Sequence, residues 1–229
     1  MASVSPAVSA GKAPCMPGES PRARQNNQHP SEVDSSPMSQ STVYLLIQNG
    51  YADWEPATAV AELRRTFGYP VKTLGLDTEP ILSMGGLKLT PDLPLSEFPP
   101  EQAAVLILPG GDSWMAGEIP AVSKAIQSTI ARGQPVAAIC AATLAVAHCG
   151  LLDDRQHTSN GKDFIGKFVP FYRGHDLYQR KPAVRDRLVI TANGLSPFPF
   201  AAEIFRALAP EREEEIKLYE QLYSRGLLD

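Results

Sequence analysis

Val136-Ala137-Ala138-Ile139-Cys140-Ala141-Ala142-Thr143 is the stretch on which the reading of this chain turns. Pro135 to Ile139 has the length and apolarity of a short buried strand. The alanine-rich segment Ala141 to His148, closed by Gly150, reads as a helix. A strand that passes at once into a helix turns sharply, and the residue at the corner, Cys140, is lifted out of the core. That corner is also a helix N-terminus, where unpaired N–H groups and the helix dipole favour negative charge. A thiol so placed is expected to lose its proton near neutral pH and to act as a nucleophile. The competing reading is a buried, inert cysteine, the common fate of a free thiol.

Around this corner, strands and helices alternate from Thr42 onward. Val43 to Ile47 is an apolar, β-branched run, followed by a helix over Glu55 to Phe67 with Pro56 at its first position. Pro70 to Leu76 reads as a second strand, and Ile81 to Thr90, broken by Gly85-Gly86, as a hairpin. Ala103 to Leu108 is a buried strand ending at Pro109-Gly110-Gly111. Glu118 to Arg132 is a helix with Val122, Ile126 and Ile130 inward and Gly133 as its stop. Beyond Cys140 come a polar stretch around His157, a strand from Leu188 to Ala192 and a helix from Phe198 to Leu208. Residues 211–225 form a last amphipathic helix. Continuous apolar strands separated by helices indicate a parallel sheet covered on both faces.

Composition limits the function. The 229 residues carry 21 basic and 25 acidic side chains, a net charge of −4. This balance argues against a nucleic-acid backbone or an anionic membrane as partner. Three cysteines without metal-type spacing suggest neither a disulfide framework nor a metal site, and a cytoplasmic, reducing compartment is expected. Residues 1–41 contain no Phe, Trp, Tyr, Ile or Leu, and are expected to form a disordered Ser/Pro-rich tail ahead of one domain over 42–229. Arg22, Arg24 and the many serines fit an organelle transit peptide, whereas Glu19, Glu32 and Asp34 count against one.

In an open parallel sheet, ligands bind outside the carboxyl ends of the strands. The loop from Gly50 to Glu55, the Pro109-Gly110-Gly111 turn and Cys140 all fall there. Glu55 alone is explained as a carboxylate at a helix start, and Gly110-Gly111 as a tight turn. The functional alternative for the glycines is a backbone N–H held beside the cysteine to stabilise an oxyanion.

Tyr51-Ala52-Asp53-Trp54-Glu55, Leu108-Pro109-Gly110-Gly111 with Trp114, and Ala138-Ile139-Cys140-Ala141-Ala142-Thr143 together resemble the ThiJ/PfpI family, of the class I glutamine amidotransferase-like superfamily. Arg155 to Asn160 and Ile190 to Gly194 extend the similarity. The resemblance implies a three-layer α/β/α sandwich with a mostly parallel, flavodoxin-like sheet and a strand–Cys–helix nucleophile elbow. It implies that Cys140 is reactive, that Glu55 lies beside its sulfur, and that amides near Gly110, Gly111 and Ala141 bind an oxyanion. It implies no cofactor and no metal, a small-molecule substrate, and a homodimer. The aromatic segment Phe164, Phe168, Phe171 and Tyr172 offers either an interface or a pocket lid.

Departures from the family pattern narrow the chemistry. None of His29, His148, His157 and His175 is followed two positions on by Glu, so glutaminase chemistry is not expected. Ala141 stands where PfpI-type peptidases carry a histidine, which removes the base of a peptidase. Related glyoxalases carry a histidine where this chain has Asn160, with His157 three residues earlier. Either Asn160 lines the pocket as a non-titrating group, or the backbone bends and His157 takes the role. Two classes remain: attack by Cys140 on a small carbonyl, amide or ester, and a stress-responsive protein whose cysteine is reversibly oxidised.

Overall fold

A computed structural model of the chain describes residues 41–116 and 119–226. The expected tail, apart from Ser41, lies outside the described residues. The chain forms β1 (Thr42–Leu46), α1 (Trp54–Arg65), β2 (Val71–Gly75), the hairpin β3 (Ile81–Leu82) and β4 (Lys88–Leu89), and β5 (Leu93–Pro94). Next come β6 (Ala103–Leu108), α2 (Ile119–Ala131), β7 (Val136–Ile139), α3 (Thr143–His148) and α4 (Phe164–Phe168). The chain continues through β8 (Ala183–Asp186), β9 (Val189–Ala192), α5 (Pro197–Leu208) and α6 (Glu213–Arg225).

Seven strands make one sheet in the order β5-β2-β1-β6-β7-β9-β8. Every pair is parallel except β8 with β9. Each residue of β1, β6, β7 and β9 is buried, as strands covered on both faces require. Alternate side chains feed two cores. Tyr44, Leu46, Leu106, Leu108, Val136 and Ala138 pack with Val122 and Ile126 of α2 and Leu144 of α3. Val43, Leu45, Val105, Ile107, Ala137 and Ile139 pack with Leu63 of α1 and Phe200, Ile204 and Phe205 of α5. Helix, sheet and helix make the three layers, and α6 joins the second by burying Ile216.

Several boundaries differ from expectation. Trp54 opens α1, so Pro56 is its third residue; the first turn needs no intrahelical donor, and proline is tolerated there. Asp53 does not cap this helix with its side chain, and its Oδ2 accepts from Gly85 N–H of the hairpin at 2.6 Å. The last helix starts at Glu213 after a 3₁₀ turn (Pro210–Arg212) and stops at Gly226, which is left-handed. β5 and β8 were not anticipated. β5 is a two-residue edge strand containing a proline, and β8 is a half-exposed edge strand carrying Arg185 and Asp186.

Candidate active site

The strands β2-β1-β6-β7-β9 follow the flavodoxin order, whose reversal lies between β1 and β6, and a crevice opens at such a point. Four chain segments leave the sheet along this edge: those after β1, β6, β7 and β9. They bring Glu55, Gly110, Cys140 and Gly194 to one place.

β7 ends at Ile139, and a 3₁₀ turn (Cys140–Ala142) leads straight into α3. Cys140 has φ 61°, a left-handed conformation that costs an L-residue about 1–2 kcal/mol. The Thr143 hydroxyl secures the corner by donating to the Cys140 carbonyl at 2.7 Å, and it also meets the Ser159 hydroxyl at 2.6 Å.

Two glycines wall the sulfur. A Cβ on Gly110 would stand 2.6 Å from the Cys140 Cβ and 2.7 Å from Glu55 Oε2. A Cβ on Gly194 would stand 2.8 Å from Cys140 Sγ and 3.0 Å from Glu55 Oε1. Hydrogen at both positions lets the two backbones close on the cysteine. Glu55 is wholly buried, and Gly110 N–H donates to its Oε2 at 2.5 Å. Its Oε1 has no hydrogen-bond partner among the described residues and is the acceptor left beside the thiol.

Asn160 stands beside the sulfur. Its Nδ2 donates to Cys140 Sγ at 3.1 Å, while its Oδ1 accepts from Gly194 N–H at 3.0 Å. One side chain thus ties sulfur and glycine wall together. His157, three residues earlier, stands apart from the sulfur. Its ring is fully buried and does not line the cleft. Nδ1 donates to the Arg155 carbonyl at 2.8 Å, and Nε2 accepts from the Tyr172 hydroxyl at 2.5 Å. Burial lowers its pKa, which keeps the ring neutral.

The oxyanion residues separate in the same way. The Ala141 N–H points to the sulfur and favours its charged form. Gly110 N–H is already committed to Glu55, so it is not a donor to a substrate oxygen. Gly111 is bridged to Tyr51, and a Cβ there would meet the Gly50 carbonyl at 2.9 Å, not the sulfur.

The acidity of the thiol also differs from expectation. Burial, and after it the charge of Glu55, pushes Cys140 up to about 11, against the opposing effect of the Asn160 amide and the Ala141 N–H. Burial likewise raises Glu55 above the ordinary carboxylate range, against its bond from Gly110. The helix behind the corner is a three-residue 3₁₀ turn and six α-residues, too short for its dipole to outweigh a walled site. Raising both groups makes Glu55 a stronger base than a free carboxylate and keeps the proton on sulfur at neutral pH.

The site opens into a cleft of about 700 Å³. Its wall includes Trp54, Ser159, Tyr178, Arg180, Lys181 and Leu195. Sequence reasoning did not single out Gly194, although it follows an apolar strand as Gly110 does. Arg180 and Lys181 carry no such signal; in sequence they are two charges in a loop. Among the described residues, no group of three or more His, Cys, Asp or Glu could hold a metal.

Comparison with known proteins places the chain in a family. The model of the DJ-1/PfpI family matches residues 41–207. The "Uncharacterized protease YoaZ" of Bacillus subtilis (strain 168) is 36% identical over 173 residues, 72% of this chain and 82% of that protein. The "Glutathione-independent glyoxalase DJR-1.2" of Caenorhabditis elegans is 25% identical over 155 residues, covering 65% and 79%. The crystal structure of a thiJ/pfpI family protein from Bacillus anthracis superposes with a TM-score of 0.76 at 34% identity, covering 82% of this chain and 92% of the other.

Proposed function

Since the chain belongs to the DJ-1/PfpI family across residues 41–207, we propose that it is a cysteine-dependent catalyst acting on a small carbonyl compound. The observation that carries this reading is the Cys140–Glu55 pair at the floor of an open cleft. As the sulfur attacks the carbonyl carbon, a C–S bond forms and the C=O π bond opens. The thiol proton passes to Glu55 Oε1, and from there to the new alkoxide oxygen, giving a thiohemiacetal without change of oxidation state. The Ala141 N–H and the Asn160 amide both point at the sulfur and stabilise the charge that it gains as its proton leaves. A relative named as a glyoxalase supports the carbonyl substrate.

Two other readings are weaker. Peptide hydrolysis needs a base and acid for an amine leaving group, and no histidine lines the cleft among the described residues. Thiol oxidation follows thiolate character, and a thiol held near 11 has little of it at neutral pH. The test is turnover of methylglyoxal and simple esters by the purified protein beside Cys140→Ala. Loss of the carbonyl activity in the variant is expected. Equal rates with and without the sulfur would remove the proposal.

A further inference from the structure

Arg180 and Lys181 are exposed neighbours on the cleft wall that holds Cys140. Neither is ion-paired among the described residues. The sole acid on that wall is Glu55, which is buried beneath the sulfur. An adjoining hollow of about 570 Å³ shares Arg180 and adds Lys162 against the single acid Asp176. In a chain with 25 acidic and 21 basic side chains, positive charge is therefore concentrated where a substrate enters.

The backbone beneath these two cations is fixed. Tyr178 pairs with His157 as an isolated parallel bridge, and Gln179 N–H donates to the His157 carbonyl at 2.7 Å. Lys181 N–H donates to the Gln179 carbonyl at 2.9 Å, and the Thr158 hydroxyl donates to the Lys181 carbonyl at 2.9 Å. His157 and Thr158 are themselves buried, with Thr158 N–H bonded to Thr191 of β9 at 2.9 Å. A charged pair anchored to the sheet in this way loses less backbone entropy on binding than one on a free loop.

We propose that the cleft selects a substrate carrying a compact oxyanion, carboxylate or phosphate, which Arg180 and Lys181 hold while the reacting carbon faces Cys140. The inference deepens the proposed carbonyl chemistry and rests on it. Arg180 supplies a planar fork suited to two oxygens of one anion, and Lys181 a second point charge. With the acid of the site buried, an incoming anion meets cations before it meets Glu55.

Iodoacetate and iodoacetamide test this directly, because they share a leaving group and differ by one negative charge. Their relative alkylation rates at Cys140 are read by mass spectrometry of the Cys140 peptide, with glutathione as the free-thiol reference. The iodoacetate-to-iodoacetamide ratio at Cys140 should exceed the glutathione ratio by about fivefold for each cation engaged at low salt, and shrink toward it in 1 M salt. Arg180→Ala with Lys181→Ala should bring the ratio down to that of glutathione, and Arg180→Lys with Lys181→Arg should retain most of the excess. Inorganic phosphate and acetate, each added as competitor, distinguish the two oxyanions by which one suppresses the excess at lower concentration. A wild-type ratio at or below that of glutathione overturns the anion selectivity and leaves the cysteine chemistry standing. A Cys140 that stays inert to both reagents even as the pH is raised to about 11 overturns the cysteine chemistry and takes the selectivity with it.

Discussion

Glu55 is buried beside the half-buried Cys140, and its charge makes a thiolate there more costly. A negative neighbour disfavours a thiolate, so replacing Glu55 by Gln removes the second cause that raises the thiol and leaves burial in place. The alkylation midpoint of Cys140 should therefore fall from about 11 in the wild type toward the free-cysteine value of about 8.5. Carbonyl turnover should move the opposite way, dropping by about 10²–10⁴ because the proton acceptor is gone. Alkylation against pH and initial rates on the same two proteins check both. A midpoint unchanged in Glu55→Gln would mean that the carboxyl does not act on the sulfur. Cys140 was legible in the sequence because a lone cysteine breaks an apolar run. Its acidity was not, because burial depends on Gly110 and Gly194 arriving from other strands. Asn160 and His157 could not be ranked for a similar reason, since their facing depends on how the chain from 155 to 160 passes β9.

At the scale of elements, the site is a meeting of segments that leave one sheet edge. The long apolar strands β1, β6, β7 and β9 announced themselves by unbroken runs of buried residues. β5 and β8 did not, since edge strands of two and four residues with proline or charges bear no such run. The segment after β9 is the least obvious contributor and the most exacting. Gly194 is not in the left-handed region, so alanine there is disfavoured by contact alone, with Sγ at 2.8 Å and Glu55 Oε1 at 3.0 Å. Gly194→Ala must push back the loop or the sulfur, and misplacing reacting groups by about 1 Å costs about 100-fold in rate. Turnover is expected to collapse to that extent while the melting temperature moves by only a few degrees, because Gly194 lies beyond the strand. Thermal unfolding monitored beside the rate assay distinguishes this from general destabilisation; a fall of both together would count against a steric role.

For the whole molecule, the described residues include no helix long and apolar enough to cross a membrane. The aromatic segment beyond the site divides in two. Tyr172 is buried on His157, and Phe164 is half-buried, whereas Phe168 and Phe171 are 39% and 53% exposed. We propose that the exposed pair joins two copies of the chain, and light scattering at micromolar concentration should return about twice 24.8 kDa. Phe168→Ser should then shift the mass toward one chain; a monomeric wild type would dismiss the interface. The left-handed corner at Cys140 has one further consequence, which concerns ancestry. A backbone there would be at ease only with glycine, so holding any side chain at this point is a standing handicap. In a lineage that had abandoned the sulfur's chemistry, nothing would oppose drift to glycine. On the proposed function, a cysteine kept at 140 against that handicap reflects its use, and its loss to glycine in some descendant would date the retirement of the activity.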